Sequence, residues 1–398
     1  MTQQAFLNMA VRLTLVYAAL FCGTLIVGAV ITPGLVASET GVIGGDFLAF
    51  YTAGDFALNG NALAAYDFAA FDASLKERAP LEALGMMWQY PPTMFFIAAP
   101  FALLPYKASY LLWCAMGWGA LLWSLRALQF RGHAFWLMGF SVLCVNVVDN
   151  GQISLATAAL LFLSVYDPKR RWLVAGAAAG LLTIKPQLGL LLPLAFMAAG
   201  AWRTIAIAAA TAMLFHMPSV LVFGFEGWGE FLEAAARLNA DVVGPGLHTP
   251  PQGMTTLFGQ LRALGAPAAA AVAAQYGLAV AIMIVVGLVW RRSEDALGKA
   301  ALLCAGAVLA SPYAYAYEMA ALILPAAYLA RQAADYRAPE ALWVMGGAIL
   351  MMVAAALPPP PGLQIAFVIS AAAFVMTLLT MLRPAHDHPP AGAVRQAA

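Results

Sequence analysis

The stretch MAVRLTLVYAALFCGTLIVGAVIT, residues 9–32, decides the fold class. A helix needs about 20 mostly apolar residues to cross a hydrocarbon core about 30 Å thick, and this run is long enough. In lipid such a run must be helical, because a helix satisfies its own backbone hydrogen bonds. The run exceeds a usual signal-peptide core and lacks a convincing cleavage site, so we interpret it as a membrane anchor.

The composition of the whole chain agrees with this first run. Hydrophobic residues make up 63% of the 398 residues and charged residues only 10%. A soluble domain carries about a quarter charged residues, so the sequence predicts an all-α, polytopic membrane helix bundle. The net charge of +1 gives no reason to expect nucleic acid as a partner. Four cysteines lie far apart in apolar runs without metal-type spacing, and we interpret them as packing residues: Cys22, Cys114, Cys144 and Cys304.

Thirteen apolar runs can be separated along the chain. The run 91–104 is short, opens with two prolines and contains Pro100, so we predict an interfacial or re-entrant helix there. About twelve transmembrane helices remain, of which 172–184 and 187–201 are short enough to form one broken helix. The runs are 9–32, 91–104, 106–125, 132–148, 152–166, 172–184, 187–201, 204–222, 268–290, 297–310, 315–331, 340–357 and 363–382.

The distribution of basic residues tests this threading. With the N-terminus in the cytoplasm, 14 of the 20 Lys and Arg residues fall on the cytoplasmic side. Counting 91–104 as a span, or merging the two short runs, moves basic residues outside and is disfavoured. We therefore predict a single membrane domain over 1–383. It includes extracytoplasmic loops at 33–105, with surface helices, and at 223–267. A disordered cytoplasmic tail follows at 384–398.

Nearly every unusual polar cluster then falls on the extracytoplasmic face. Asp46 follows two glycines and begins a predicted surface helix, where it is either a helix N-cap or a functional carboxylate. Asp55 lies inside that helix and is predicted to be mainly structural, and it is also a candidate for substrate contacts. In DNGQ, residues 149–152, Asn150 and Gln152 suit a tight turn and sugar hydroxyls equally well.

Lys185 stands between apolar segments, where a charge is costly unless it meets an anion or reaches water. A phosphate group is a natural partner for the Lys185 ammonium, and the Glu318 carboxylate is a second candidate partner. His248 lies in a Pro- and Gly-rich loop and is a candidate acid, base or sugar ligand, although a loop histidine more often has no such role. The remaining candidates for substrate contacts are Tyr90, Gln187 and Tyr313.

The order of motifs resembles glycosyltransferase family 87. The resemblance covers roughly residues 40–330, and the ordered set rather than any single motif carries it. The motifs are GGDFLAFYTAGDFALNGNALAAYD at 44–67, WQYPPTMFFIAAPFALLPY at 88–106, NGQISLATAALL at 150–161, KPQLGLLLPLAF at 185–196 and SPYAYAYE at 311–318.

The resemblance implies a GT-C-like, inverting membrane transferase related to polyprenol-phosphate-mannose-dependent mannosyltransferases. Asp46 matches the general base of that family, and Lys185 could stabilise the departing phosphate. The implied partners are a polyprenyl-phosphate-linked sugar donor, a glycolipid or polysaccharide acceptor and the bilayer of a bacterial inner membrane. No cofactor is expected and nothing in the sequence requires a metal, although Asp46 with Glu318 stays open as a divalent-ion pair. The Tyr-rich segment ending in Glu318 departs from many relatives.

Two functions from other classes compete with this expectation. A transporter or flippase of a lipid-linked saccharide should place charged residues near mid-membrane in paired repeats. This chain gathers them at one face, which favours the enzyme. A catalytically silent subunit of an envelope assembly differs from the enzyme only in the effect of replacing Asp46.

Overall fold

The structure, a computed structural model, describes residues 3–38, 41–80, 86–243, 254–333 and 363–382. The described residues confirm the all-α prediction, with one small hairpin of β1 (Val36–Ser38) and β2 (Gly41–Val42). The α-helices are α1 Gln3–Ile31, α2 Phe47–Leu58, α3 Phe68–Arg78, α4 Thr93–Ala102, α5 Tyr106–Ala127, α6 Gly132–Gly139, α7 Val142–Asp149, α8 Ser154–Val165, α9 Trp172–Leu181, α10 Leu192–Ala199, α11 Trp202–Val243, α12 Leu257–Ala263, α13 Ala268–Arg292, α14 Ala296–Ala310, α15 Ile323–Ala333 and α16 Ile365–Met381. Four 3-10 helices lie at Ala62–Tyr66, Leu182–Ile184, Pro186–Gly189 and Ala316–Leu322.

Five helical stretches of the described chain are long and apolar enough to cross a membrane. The other apolar helices have 10–17 residues, so the count of about twelve spans stays a prediction. The predicted run 340–357 and the tail 384–398 lie outside the described residues. The five candidate spans are Asn8–Ile31, Tyr106–Ala127, Gly132–Asp149, Trp202–Leu238 and Ala268–Arg292.

The long helix α11 consists of two halves that meet at Gly224. The backbone there has φ 64° and ψ −173°, which only glycine adopts readily. A straight helix would separate His216 and Trp228, twelve residues apart, by about 18 Å. Their ring centroids are 5.2 Å apart, so the second half folds back against the first. Residues 223–243, the first part of the predicted loop 223–267, belong to this helix.

Helix α9 packs closely on the first half of α11 through two glycines one turn apart. A Cβ atom added at Gly176 would lie 2.7 Å from Cβ of Ile207, and one at Gly180 would lie 2.6 Å from Cβ of Thr211. Small residues at this spacing let helix backbones approach each other. This contact fixes the position of the 3-10 helix Leu182–Ile184, which directly follows α9.

The segment between α1 and α5 forms an aromatic core of its own. Helices α2 and α4 touch so closely that a Cβ atom at Gly54 would lie 2.5 Å from the carbonyl oxygen of Ala98. Helix α4 has ten residues and spans about 15 Å, too short to cross a membrane. Its orientation relative to a bilayer stays a prediction. The largest buried residues of this core include Phe47, Phe50, Phe71, Trp88, Phe95, Tyr110 and Trp113.

A second core surrounds α14. Almost every residue of this helix is buried, from Gly298 to Ala310, because its small and branched apolar side chains leave no polar face. The 3-10 helix Ala316–Leu322 and helices α15 and α16 pack around it. Glu318 is thereby carried on a buried 3-10 helix and is only 4% exposed.

Candidate active site

Asp46 is placed by a backbone contact between two tight turns. The Asp46 N–H donates to the carbonyl oxygen of Asn150 at 2.9 Å. Gly151 has φ +64°, and a Cβ atom there would lie 2.0 Å from the carbonyl oxygen of Gly44. A Cβ atom at Gly45 would lie 3.1 Å from the carbonyl oxygen of Asn150. The glycines of GGD and DNGQ therefore allow two backbones to touch, and this contact fixes Asp46 beside the turn 149–152.

The Asp46 carboxylate does not cap its helix. Asp46 occupies the N-cap position of α2, but its side chain accepts no hydrogen bond from the first turn. The side chains of Asp67 and Asp295, in contrast, each cap a helix through a backbone N–H three residues on. The Asp46 Oδ2 atom instead accepts from Nε2 of Gln152 at 2.5 Å. The capping interpretation of Asp46 is therefore wrong.

Gln152 connects Asp46 to Tyr90. The Tyr90 hydroxyl donates to Oε1 of Gln152 at 3.2 Å, while the amide nitrogen of Gln152 donates to Asp46. The Tyr66 hydroxyl donates to the carbonyl oxygen of Tyr90 at 2.7 Å and fixes that turn. Burial raises the pKa of Tyr90 to about 12, so this hydroxyl remains a hydrogen-bond donor at neutral pH. The amide of Gln152 is thus oriented from both ends.

The environment of Asp46 favours its protonated form. Burial raises the pKa of the Asp46 carboxyl above its ordinary value, and this effect exceeds the opposing effects of the Gln152 hydrogen bond and the Lys185 charge. The residue itself is only partly covered and keeps some exposed surface. A carboxylate of this kind takes up a proton more readily than a free aspartate.

Lys185 forms an ion pair with Glu318 in the interior of the protein. The two side chains are 6% and 4% exposed, and Nζ of Lys185 contacts Oε1 of Glu318. The same Nζ atom donates to Oγ of Ser154 at 3.3 Å and lies 5.2 Å from the ring centroid of Tyr317. The Oε2 atom of Glu318 is buried without a hydrogen-bond partner among the described residues. Lys185 therefore meets an anion, as its sequence context predicts, and in this structure that anion is Glu318.

The position of Lys185 follows from a break in the chain. Lys185 has φ −134° and ψ 71° and separates the 3-10 helices Leu182–Ile184 and Pro186–Gly189. Pro186 disfavours a helical conformation for the residue before it, and the Lys185 backbone is accordingly non-helical. The side chain can then turn inward towards Ser154 at the start of α8.

The other predicted site residues place no side chain in this group or lie outside the described chain. Asp55 forms an ion pair of 2.5 Å with Arg78, which joins α2 to α3. The Asn150 amide donates to the carbonyl oxygen of Asn146 and stabilises the turn. Tyr313 packs with the small cluster around Met254 and Phe258. His248 lies outside the described residues. Gln187 is half-buried, and the described contacts do not link its side chain to Asp46 or Lys185.

Two members of the site were not predicted as such. Ser154 is an ordinary helix-start serine in the sequence, and no local signal connects it to Lys185. Tyr317 belongs to the Tyr-rich segment that ends in Glu318, and its ring lies over the Lys185 ammonium. Among the residues that the structure describes, no three His, Cys, Asp or Glu side chains are close enough to hold a metal ion.

We expect Gly151→Ala to damage the site through the backbone. The new Cβ atom would overlap the carbonyl oxygen of Gly44, so the contact that places Asp46 must open. Thermal melting of the purified protein should show a loss of more than about 3 kcal/mol. Gly60→Ala is the matched control, since Gly60 has φ +73° but open space around it. It should cost only about 1 kcal/mol of backbone strain. Equal losses for the two variants would contradict the close approach.

The comparison with known families follows this geometry. Residues 88–312, more than half of the chain, match glycosyltransferase family 87. The matched range contains Tyr90 and Lys185, whereas Asp46 precedes it. No curated protein and no solved structure matches the chain. The match confirms the resemblance, and the apolar helices agree with a membrane-bound glycosyltransferase. The chain therefore belongs to glycosyltransferase family 87.

Proposed function

We propose that the protein transfers a hexose, with mannose as the expected sugar, from a polyprenyl-phosphate donor to an envelope acceptor on the extracytoplasmic side of a bacterial inner membrane. The acceptor is a hydroxyl group of a glycolipid or polysaccharide. The observation that carries this proposal is the Asp46 carboxylate, bonded to Gln152 instead of capping its helix, in a chain of family 87.

Asp46 is the proposed general base. The acceptor oxygen attacks the anomeric carbon from the side opposite the phosphate, and its proton passes to a carboxylate oxygen of Asp46. The new bond joins the acceptor oxygen to the anomeric carbon, and the bond from that carbon to the phosphate oxygen breaks. The electron pair leaves with the polyprenyl phosphate, and the configuration at the anomeric carbon inverts. A base with a raised pKa is suited to this step at neutral pH.

Lys185 is the proposed contact of the departing phosphate. An ammonium group has three N–H donors, and Glu318, Ser154 and the Tyr90 hydroxyl already lie beside that of Lys185. A phosphate oxygen of the donor would replace one of these contacts, and Glu318 keeps the lysine charge from being isolated before the donor arrives. Positive charge at this point stabilises the leaving group as it gains negative charge. Tyr90 and Gln152 are proposed to contact the sugar between these two groups.

The gathering of these groups supports transfer over transport. Asp46, Gln152 and Tyr90 form one hydrogen-bonded chain, and the Lys185 charge is close enough to act on the Asp46 carboxyl. A substrate pathway through the membrane should instead carry polar groups along the length of its helices. A single group of neighbouring polar side chains suits a transfer reaction, because donor and acceptor must meet at one place.

The direct test supplies purified protein in detergent with polyprenyl-phosphate mannose and an envelope glycolipid fraction. We expect polyprenyl phosphate and a glycolipid heavier by one hexose, detected by mass spectrometry, with the opposite anomeric configuration by NMR. A nucleotide sugar in place of the lipid donor should give no product.

Two outcomes would contradict the proposal. Transfer from a nucleotide sugar but not from any polyprenyl-phosphate hexose would exclude the proposed donor. Absence of transfer, together with movement of a lipid-linked saccharide across reconstituted vesicles, would instead identify a transporter.

A further inference from the structure

His216 lies in the first half of α11 and holds two side chains from other parts of the chain. Its Nδ1 atom is 2.7 Å from Oγ1 of Thr93, and its Nε2 atom is 2.8 Å from Oγ1 of Thr183. Both ring nitrogens are therefore used. Ser219, one turn further along α11, adds a contact of 2.9 Å to Thr93.

The two threonines belong to the turns that carry the proposed phosphate site. Thr93 begins α4 and follows Tyr90 by three residues, across Pro91 and Pro92. Thr183 lies in the 3-10 helix that ends immediately before Lys185. One imidazole thus joins the turn of Tyr90 to the turn of Lys185, with each of its nitrogens on one of them.

Neither turn has a regular helix to fix it at this point. The prolines after Tyr90 remove two backbone N–H donors, and Lys185 is non-helical between two short 3-10 helices. A side-chain bridge can supply the fixed distance that the backbone does not provide. The second half of α11, beyond Gly224, also contacts the imidazole, because the Trp228 ring packs against it in a T-shaped arrangement.

We propose that His216 is a positioning residue for Lys185 and Tyr90, and that it sets the affinity of the site for the phosphate group of the donor. This inference rests on the proposed function, because it takes a polyprenyl phosphate as the ligand of Lys185. His216 contacts no reacting atom and acts through Thr93 and Thr183.

The test compares His216→Ala with the milder Thr183→Val, which removes only the hydroxyl from one side of the bridge. Thr204→Val is the matched control, because the buried Thr204 hydroxyl, also on α11, donates to the carbonyl oxygen of Pro168 away from the site. Binding of a short prenyl phosphate without sugar is measured by calorimetry on full-length protein in detergent. The dissociation constant should rise about five- to tenfold in the first two variants and stay unchanged in the control.

The double variant His216→Ala/Thr183→Val should bind the prenyl phosphate no more weakly than His216→Ala alone, because both changes remove the same contact. Additive losses would mean that the two residues act independently, and the inference would fail. The thermal midpoint of each variant shows whether it is folded, and Thr183→Val keeps the test valid if His216→Ala does not fold.

A second readout does not depend on the donor. Acylation of Lys185 by an amine-reactive reagent, followed by mass spectrometry, should be faster in His216→Ala and Thr183→Val than in the native protein and Thr204→Val. Unchanged acylation and unchanged binding would overturn the inference. Faster acylation in a protein that never binds prenyl phosphate would support the positioning of Lys185 and would refute the proposed donor.

Discussion

Asp46→Asn should lower kcat about 10²–10⁴-fold while the thermal midpoint stays the same or rises. Asparagine has the shape of aspartate, and its side-chain oxygen can still accept from Nε2 of Gln152. The variant cannot take up a proton from the acceptor. It also removes a negative charge that burial makes unfavourable, so the folded state should gain stability. Transfer kinetics and thermal melting on the same preparations measure both effects.

The raised pKa of Asp46 also predicts how the activity and the stability of the native protein change with pH. A base acts when deprotonated, so kcat/KM should fall as the pH falls through the raised pKa of Asp46. For stability, a pKa raised in the folded state means that the folded state binds the proton more tightly than the unfolded state does. The contribution of Asp46 is then largest below the ordinary pKa of about 3.9 and is lost as the pH rises through the raised pKa. Asp46→Asn should abolish this slope.

Asp55→Asn is the control for this prediction. Asp55 pairs with Arg78, and both side chains are partly exposed to solvent, so the loss should be about 0–1 kcal/mol with activity retained. An active Asp46→Asn variant would remove Asp46 from the chemistry. Equal losses of activity in the two variants would show that the first loop acts as a whole and not through one carboxylate.

The sequence was sufficient for the features that depend on local composition. Membrane-length runs predict the helices because each run must satisfy its own backbone in lipid, and α1, α5 and α13 lie where the apolar runs predict them. Asp46 stands out because a charge after two glycines, next to a membrane-length run, is unusual. The short helices were less predictable, since runs of 10–17 residues can cross, re-enter or end inside the bundle.

The contacts between distant segments were harder to predict. Asp46 bonds to Gln152, more than a hundred positions along the chain, and no local pattern encodes that pairing. Glu318 was one of two predicted partners for Lys185, and the sequence alone did not decide between it and a phosphate group. The fold-back of α11 at Gly224 is a further case, because the predicted run ends at 222 and the sequence assigns the residues after it to a loop.

The buried pair of Lys185 and Glu318 gives the second large effect. Each single change, Lys185→Met or Glu318→Met, leaves one uncompensated charge in the interior and should cost about 3–5 kcal/mol of stability. The double variant removes both charges and fills the space with apolar side chains of similar length. Its thermal midpoint should return close to that of the native protein, since a buried ion pair is often no more stable than a hydrophobic pair of equal volume.

Activity separates the scaffold role of this pair from a role in the reaction. A leaving phosphate that meets no ammonium group loses electrostatic stabilisation, so the folded double variant should still be slower by about 10²–10³-fold in kcat. A double variant that regains both stability and turnover would show that Lys185 only compensates Glu318. Recovery of stability without turnover is the expected result, because in the proposed mechanism Glu318 keeps the lysine charged in the interior and that charge stabilises the donor phosphate.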